Sequence, residues 1–179
     1  LMEGLAYNAM KVEPYPDRYR SPREREIERR RKAGLPMDMS YDELQRLLDP
    51  FYRSYLCADD RPFYVVCASH RDHVRRLLEL MGLLDGLRRA GVPEIEDWYL
   101  PTSEWPDGVE GSLGLYPTPE PWASSIASML SALFRTRTSF EWERIFGDAG
   151  IPGAAHRLTS EWLQADHPIR SGLLIEGQH

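Results

Sequence analysis

Apolar positions in this chain come in short runs, and their spacing alternates between helical and strand-like. Leu1, Leu5 and Ala9, with Met2, Ala6 and Met10, recur at helical spacing until Pro14 and Pro16 end the run. Ser21 then reads as an N-cap, with Pro22 in the first turn, and the helix it opens runs through an Arg/Glu stretch to Gly34. Apart from Ile27 that helix has no apolar face, so it is either solvated or laid on another polar surface. Ser40 and Glu43 form a capping-box pattern ahead of Leu44, Leu47 and Leu48, and Pro50 closes that helix.

The pattern then changes. Phe51–Cys57 and Phe63–Ala68 are rich in Tyr, Phe and Val and predict two strands, with Ala58-Asp59-Asp60-Arg61 as a four-residue hairpin loop. Taken as a hairpin of 51–57 against 62–68, Cys57 would face Pro62 and Cys67 would face Tyr52. The two thiols would then be too far apart to bond. Helical spacing resumes after Ser69, where Val74, Leu77, Leu78 and Met81 make the clearest amphipathic stripe before Gly82. A shorter helix follows over Leu83–Ala90.

Residues 91–121 carry four glycines and six prolines and predict a long loop or insertion, tacked down by Trp98, Tyr99 and Trp105. Trp122–Phe134 is helical, with Trp122, Ile126, Met129, Leu130 and Leu133 on one face. Thr138, with Glu141 three residues on, caps a helix over Ser139–Phe146. Ile151-Pro152-Gly153-Ala154 reads as a turn. Thr159 or Ser160 caps a short helix through Leu163, and the run Leu173-Leu174-Ile175 predicts a third strand near 173–176. The expected fold is α+β: one domain over 1–179, mostly helical, with a small antiparallel sheet.

Composition narrows the function classes. Of 179 residues, 22 are basic and 28 acidic, a net charge of −6 that argues against general nucleic-acid binding. No run of apolar residues is long enough to span a membrane. The opening Leu1-Met2-Glu3-Gly4 lacks the features of a signal peptide, and starting on leucine suggests a piece of a longer protein. Two cysteines make no disulfide framework and fit a reducing, cytoplasmic compartment. Residues 18–32 are a locally positive stretch.

Isolated motifs specify no reaction. His70 and His73 stand three apart at a helix start and could share a metal, but no third ligand lies near, so the reading is an ordinary first turn and no metal site. Gly108, Gly111 and Gly114 match neither a dinucleotide fingerprint nor a P-loop. Arg25 and Arg29 on the charged helix are the candidates for contacting a phosphate-bearing ligand. The same helix, over 22–33, could instead dock an acidic partner, which gives the alternative of a non-catalytic interaction module.

Several short words in order resemble family III CoA-transferases, the CaiB/BaiF type. Tyr55-Leu56-Cys57-Ala58-Asp59-Asp60, followed by a strand and a helix through Leu77 to Gly82, is similar to that family's "Y-x-C-x-D-G, strand, helix ending in L-G". Phe134-Arg135-Thr136-Arg137-Thr138, then Glu141-Trp142 and Gly150-Ile151-Pro152, resembles "F-x-T-R-T-x-x-E-W … G-V-P". Asp166-His167-Pro168 through Arg170-Ser171-Gly172-Leu173 to Glu176 resembles "D-P-H-L-x-x-R-G-L-x-x-E".

The resemblance implies the small, middle domain of an enzyme that moves CoA between an acyl-CoA and a carboxylic acid through an aspartyl anhydride. It also implies a large Rossmann-like domain elsewhere and an interlocked homodimer. The nucleophilic aspartate would sit in that large domain, so no residue here is expected to be catalytic and the piece alone is expected to be inactive. A coenzyme A thioester would be a substrate, with no cofactor bound covalently. Where the racemase branch carries a glutamate after the second strand, this chain has His70, so transfer is expected over racemisation and His70 is the candidate auxiliary.

Overall fold

The computed structural model describes residues 22–68, 70–97, 100–109 and 111–174. The helix expected over 1–10, the Ser21 cap, Ser69, and the Trp98 and Tyr99 anchors lie outside them.

The charged stretch forms α1 (Pro22–Ala33), and Ser40 opens α2 (Tyr41–Arg46) with both bonds of the capping box in place: the Ser40 hydroxyl accepts from Glu43 N, and Glu43 Oε2 accepts from Ser40 N. Arg30 ties the two helices together. Its Nε bonds Glu26, its Nη2 bonds Glu43 at 2.8 Å, and its Nη1 reaches the carbonyls of Pro36 and Asp38.

The hairpin forms from β1 (Tyr52–Leu56) and β2 (Pro62–Val66), paired antiparallel, Tyr52 with Val66 and Leu56 with Pro62. This register is one residue away from the expected one. Cys57 N bonds the Arg61 carbonyl, which leaves a three-residue loop, and Asp60 takes φ 56° to close it. A turn followed by one left-handed residue matches the strand twist, and a short polar side chain tolerates that conformation. The loop is also held from outside. Asp59 accepts from Ser139 N at 3.1 Å and Ser139 Oγ at 2.8 Å, and Ala58 N bonds the Arg137 carbonyl. Cys57 and Cys67 are free and buried.

The third strand is β3 (Gly153–Ala155), paired antiparallel to β2, giving the order β1-β2-β3. Here the sequence pattern predicts a turn. Leu173 and Leu174 adopt no strand, and Ile175 and Glu176 lie outside the described residues. Gly-Ala-Ala has no strand signature of its own; the open edge of β2 recruits it. Val66 N and the Pro62 carbonyl extend the pairing to Pro152 and His156.

The remaining elements among the described residues are α3 (Arg71–Leu80), α4 (Leu84–Arg89), a 3₁₀ turn at Thr102–Glu104, α5 (Trp122–Phe134), α6 (Ser139–Asp148), α7 (Thr159–Leu163) and α8 (Asp166–Arg170). Gly82 ends α3 at φ 67°, so that its own N–H bonds Glu79 and the next N–H bonds Leu78. Leu158, not Thr159, occupies the cap of α7, where its backbone N–H bonds Glu161. Pro168 sits in the first turn of α8, where no intrahelical N–H is required.

Odd-numbered positions of the hairpin point inward. Phe51, Tyr55, Phe63 and Val65 pack with Val74, Leu77 and Leu78 of α3, Ile126, Leu130 and Phe134 of α5, and Trp142 and Phe146 of α6 in one buried cluster. Phe134 is its hub, with ring centroids 4.8 Å from Tyr55, 5.5 Å from Phe63 and 5.2 Å from Trp142. Trp142 Nε1 donates to the Phe134 carbonyl at 2.9 Å, so the indole is buried without an orphaned donor.

Candidate functional site

A cleft of about 430 Å³ opens beside the N-terminal half of α3 and is lined by both charge signs: Arg71, Arg75 and Arg88 against Asp72, Glu94 and Glu96. The α3 stripe buries Val74, Leu77 and Leu78, which turns Arg71, Asp72 and Arg75 outward. The opposite wall is the start of the long 91–121 segment. Its residues 93–96 are tied to 112–113 and to α3. Ile95 N donates to Ser112 Oγ at 2.9 Å, Leu113 N bonds the Pro93 carbonyl, and Arg71 Nη1 bonds the Glu96 carbonyl at 2.6 Å.

Farther along the same segment, Thr118 N donates at 2.7 Å to the buried Asp49, which also accepts from Phe51 N at 2.9 Å. Burial raises the Asp49 carboxyl above its ordinary range, against the pull of these two amides. Nothing about a lone Asp before Pro50 signals this clamp, because its second partner is 69 residues away.

Most charges lining the cleft are paired within it. Arg88 grips Glu94 with two nitrogens, at 2.9 and 3.2 Å, and Arg75 lies between Asp72 and Glu79. His70 stands at the N-cap of α3 without a side-chain cap bond, and its ring stacks on His73 at 3.6 Å and 13°. Burial lowers the His73 pKa, and the neighbouring charges of His70 and Arg76 lower it further. The stacked pair stands at the start of α3, with His70 exposed. Among the described residues no cluster of three or more His, Cys, Asp or Glu is arranged to hold a metal ion.

Arg25 and Arg29 lie on α1. Arg25 is exposed, while Arg29 forks onto Glu26 with two 2.7 Å bonds. Those bonds and the one from Arg30 hold the Glu26 carboxyl down to about 2. Arg29 and Arg30 therefore spend their charge inside the helix and on α2.

Both thiols are buried. Burial pushes both Cys57 and Cys67 up to about 12, and the thiolate is the reactive form. No helix among the described residues is long and apolar enough to cross a membrane.

No family model matches the chain. Over 176 residues, 98% of its length, it is 50% identical to a segment of the CoA-transferase/lyase DddD of Marinomonas sp. strain MWYL1. The chain spans 21% of that protein's length. Identity at this level along nearly the whole chain establishes common descent, and the likeness to a CoA-transferase read from short sequence words thus rests on a CoA-transferase/lyase segment.

Proposed function

We propose that this chain is the small lobe of a CoA-transferase of the CaiB/BaiF type, working on an acyl-CoA and a carboxylic acid within an interlocked homodimer in the cytoplasm. The observation that carries this reading is the 50% identity over 176 residues to a CoA-transferase/lyase. The fold supplies a frame consistent with it: a tight hairpin, two helices against its inner face, and a charged cleft at one end. Free, buried thiols suit a reducing compartment.

In this reading the lobe carries no nucleophile. An aspartyl anhydride needs an accessible carboxylate able to attack a thioester carbonyl and expel the thiolate. Asp49 is enclosed and caps two amides, and Glu26, Glu143 and Glu161 are ion-paired to arginines. Arg25 on α1 stays the candidate phosphate contact, and His70 the candidate proton-exchanging auxiliary.

The test is to incubate the chain with an acyl-CoA and trap any acyl or CoA adduct with hydroxylamine or borohydride, then map the product by peptide mass spectrometry. The expected result is no modified carboxylate in these 179 residues and no turnover. A stoichiometric adduct on any Asp or Glu of this chain would overturn the reading.

A further inference from the structure

A second, smaller cleft of about 220 Å³ is walled by three elements: Gln45 from α2; Arg53, Ser54, Tyr55 and Leu56 from β1; and Ser131 and Arg135 from the end of α5. Pro62 of β2 completes it. Two guanidinium groups face this space, and none of the lining residues is acidic.

Arg53 is the telling residue. It occupies an inward-facing position of β1 and is half-buried, and its side chain makes no hydrogen bond among the described residues. Its Nε is shut off from solvent with no acceptor. The guanidinium carbon lies 5.1 Å from the centre of the Tyr55 ring. A buried donor on a charged group, left without an acceptor, is costly and calls for a partner. Tyr55 meets the guanidinium through its ring alone; its hydroxyl is turned to the Pro50 carbonyl, to which it donates at 2.6 Å.

The other walls add donors. Arg135 uses Nη1 on the Cys57 carbonyl and the Asp60 carboxylate, which leaves its Nε and Nη2 without a partner among the described residues. Gln45 accepts from Ser54 N through Oε1, so its amide nitrogen is a further donor at the wall. Asp60 offsets part of the Arg135 charge, but it is 84% exposed and does not line the cleft.

We propose that this cleft between α2, the free edge of β1 and α5 binds a small oxyanion, a phosphate or carboxylate group, between Arg53 and Arg135. Planar guanidinium forks match two oxygens of such a group, and the terminal nitrogens of Arg53 together with Nε and Nη2 of Arg135 are the donors that would meet it. The proposal is independent of the reading as a CoA-transferase lobe. It concerns a site that neither Arg25 and Arg29 nor the larger cleft touches.

The experiment titrates the 15N-labelled chain separately with inorganic phosphate and with acetate, in a low-chloride buffer, following the Arg53 Nε–H resonance. A saturable shift of that resonance is expected. Preference for phosphate assigns a phosphate ester as the ligand group, and preference for acetate assigns a carboxylate. Arg53→Gln and Arg135→Gln should each weaken the association by about tenfold or more, as loss of a charge-assisted bond does. Arg53→Lys, which keeps the charge but not the fork, should fall between. Far-UV circular dichroism checks that each variant is folded, and if Arg53→Gln is not, Arg53→Lys and Arg135→Gln carry the test. No saturable Arg53 shift with either anion, or unchanged affinity in the folded variants, would overturn the proposal.

Discussion

Substituting Gly153 by alanine tests how β3 joins the core. A Cβ built on Gly153 would stand 2.7 Å from Phe63 Cε1, 2.9 Å from Phe146 Cδ1 and 3.0 Å from Phe63 Cζ. Neither ring can swing aside. Both are fully buried, they pack edge-to-face with centroids 4.8 Å apart, and Phe63 also stacks on Phe134. Forcing a methyl into such a core costs about 1–3 kcal/mol. Replacing glycine also restricts the unfolded chain, which returns about 0.4–1 kcal/mol. The net expectation is a loss of about 1–2 kcal/mol. Gly86 is the control. It lies exposed in α4 with nothing within 4 Å of where an alanine Cβ would stand, so Gly86→Ala should stabilise by about 0.5–1 kcal/mol. Urea unfolding followed by tryptophan fluorescence measures both. A Phe63→Leu background should reduce the cost of Gly153→Ala, with a coupling of about 0.5 kcal/mol or more. If Gly153→Ala were as stable as the parent, β3 would not be packed under these rings and the sheet as described would be wrong.

Two further outcomes are expected. Asp49→Ala leaves the buried amides of Phe51 and Thr118 unpaired, and because relief of the buried carboxylate offsets part of that loss, the net cost should be about 1–3 kcal/mol; hydrogen exchange should speed up most at Thr118, and unchanged protection there would refute the clamp. Glu161 is bonded by both Arg61 terminal nitrogens at 2.7 and 2.8 Å, and these bonds hold its carboxyl down to about 2. Its contribution to stability is therefore full above the ordinary carboxylate range and is lost as pH falls toward 2. A carboxyl-carbon NMR titration should find that depressed value and see it return to the ordinary range in Arg61→Gln, whereas an ordinary value in the parent would refute the pair.

What could be read from the chain was what neighbours in sequence decide. The capping boxes at Ser40/Glu43 and Thr138/Glu141, the α3 stripe of Val74, Leu77 and Leu78, and the hairpin all depend on residues within a few positions of one another. The features missed depend on distant partners. The strand at Gly153–Ala155 exists because β2 offers it an edge and two aromatic rings need a glycine beside them. The clamp at Asp49 depends on Thr118, and the cleft at Arg53 on α5, and neither leaves a periodic trace. The charged helix was legible as a pattern of Glu and Arg, yet its role in joining α1 to α2 rests on Arg30 reaching Glu43, Pro36 and Asp38 across a turn.

The register of the hairpin shows how one such distant contact sets a functional surface. A four-residue loop would have paired Cys57 with Pro62; the three-residue loop pairs Leu56 with Pro62 and Cys57 with Arg61. Shifting one strand by a residue against the other exchanges which of its side chains face the core. The loop in this register is held by Asp59 on Ser139 and by Arg135 on Asp60 and the Cys57 carbonyl, so the α5–α6 junction buttresses the pairing. Because Arg135 is also a wall of the smaller cleft, the residue that holds the loop also brings the second guanidinium to the edge of β1. The turn 57–61 and the Arg53–Arg135 cleft are thus one construction, and weakening the Asp59–Ser139 bonds should disturb the cleft before it disturbs the aromatic core beneath.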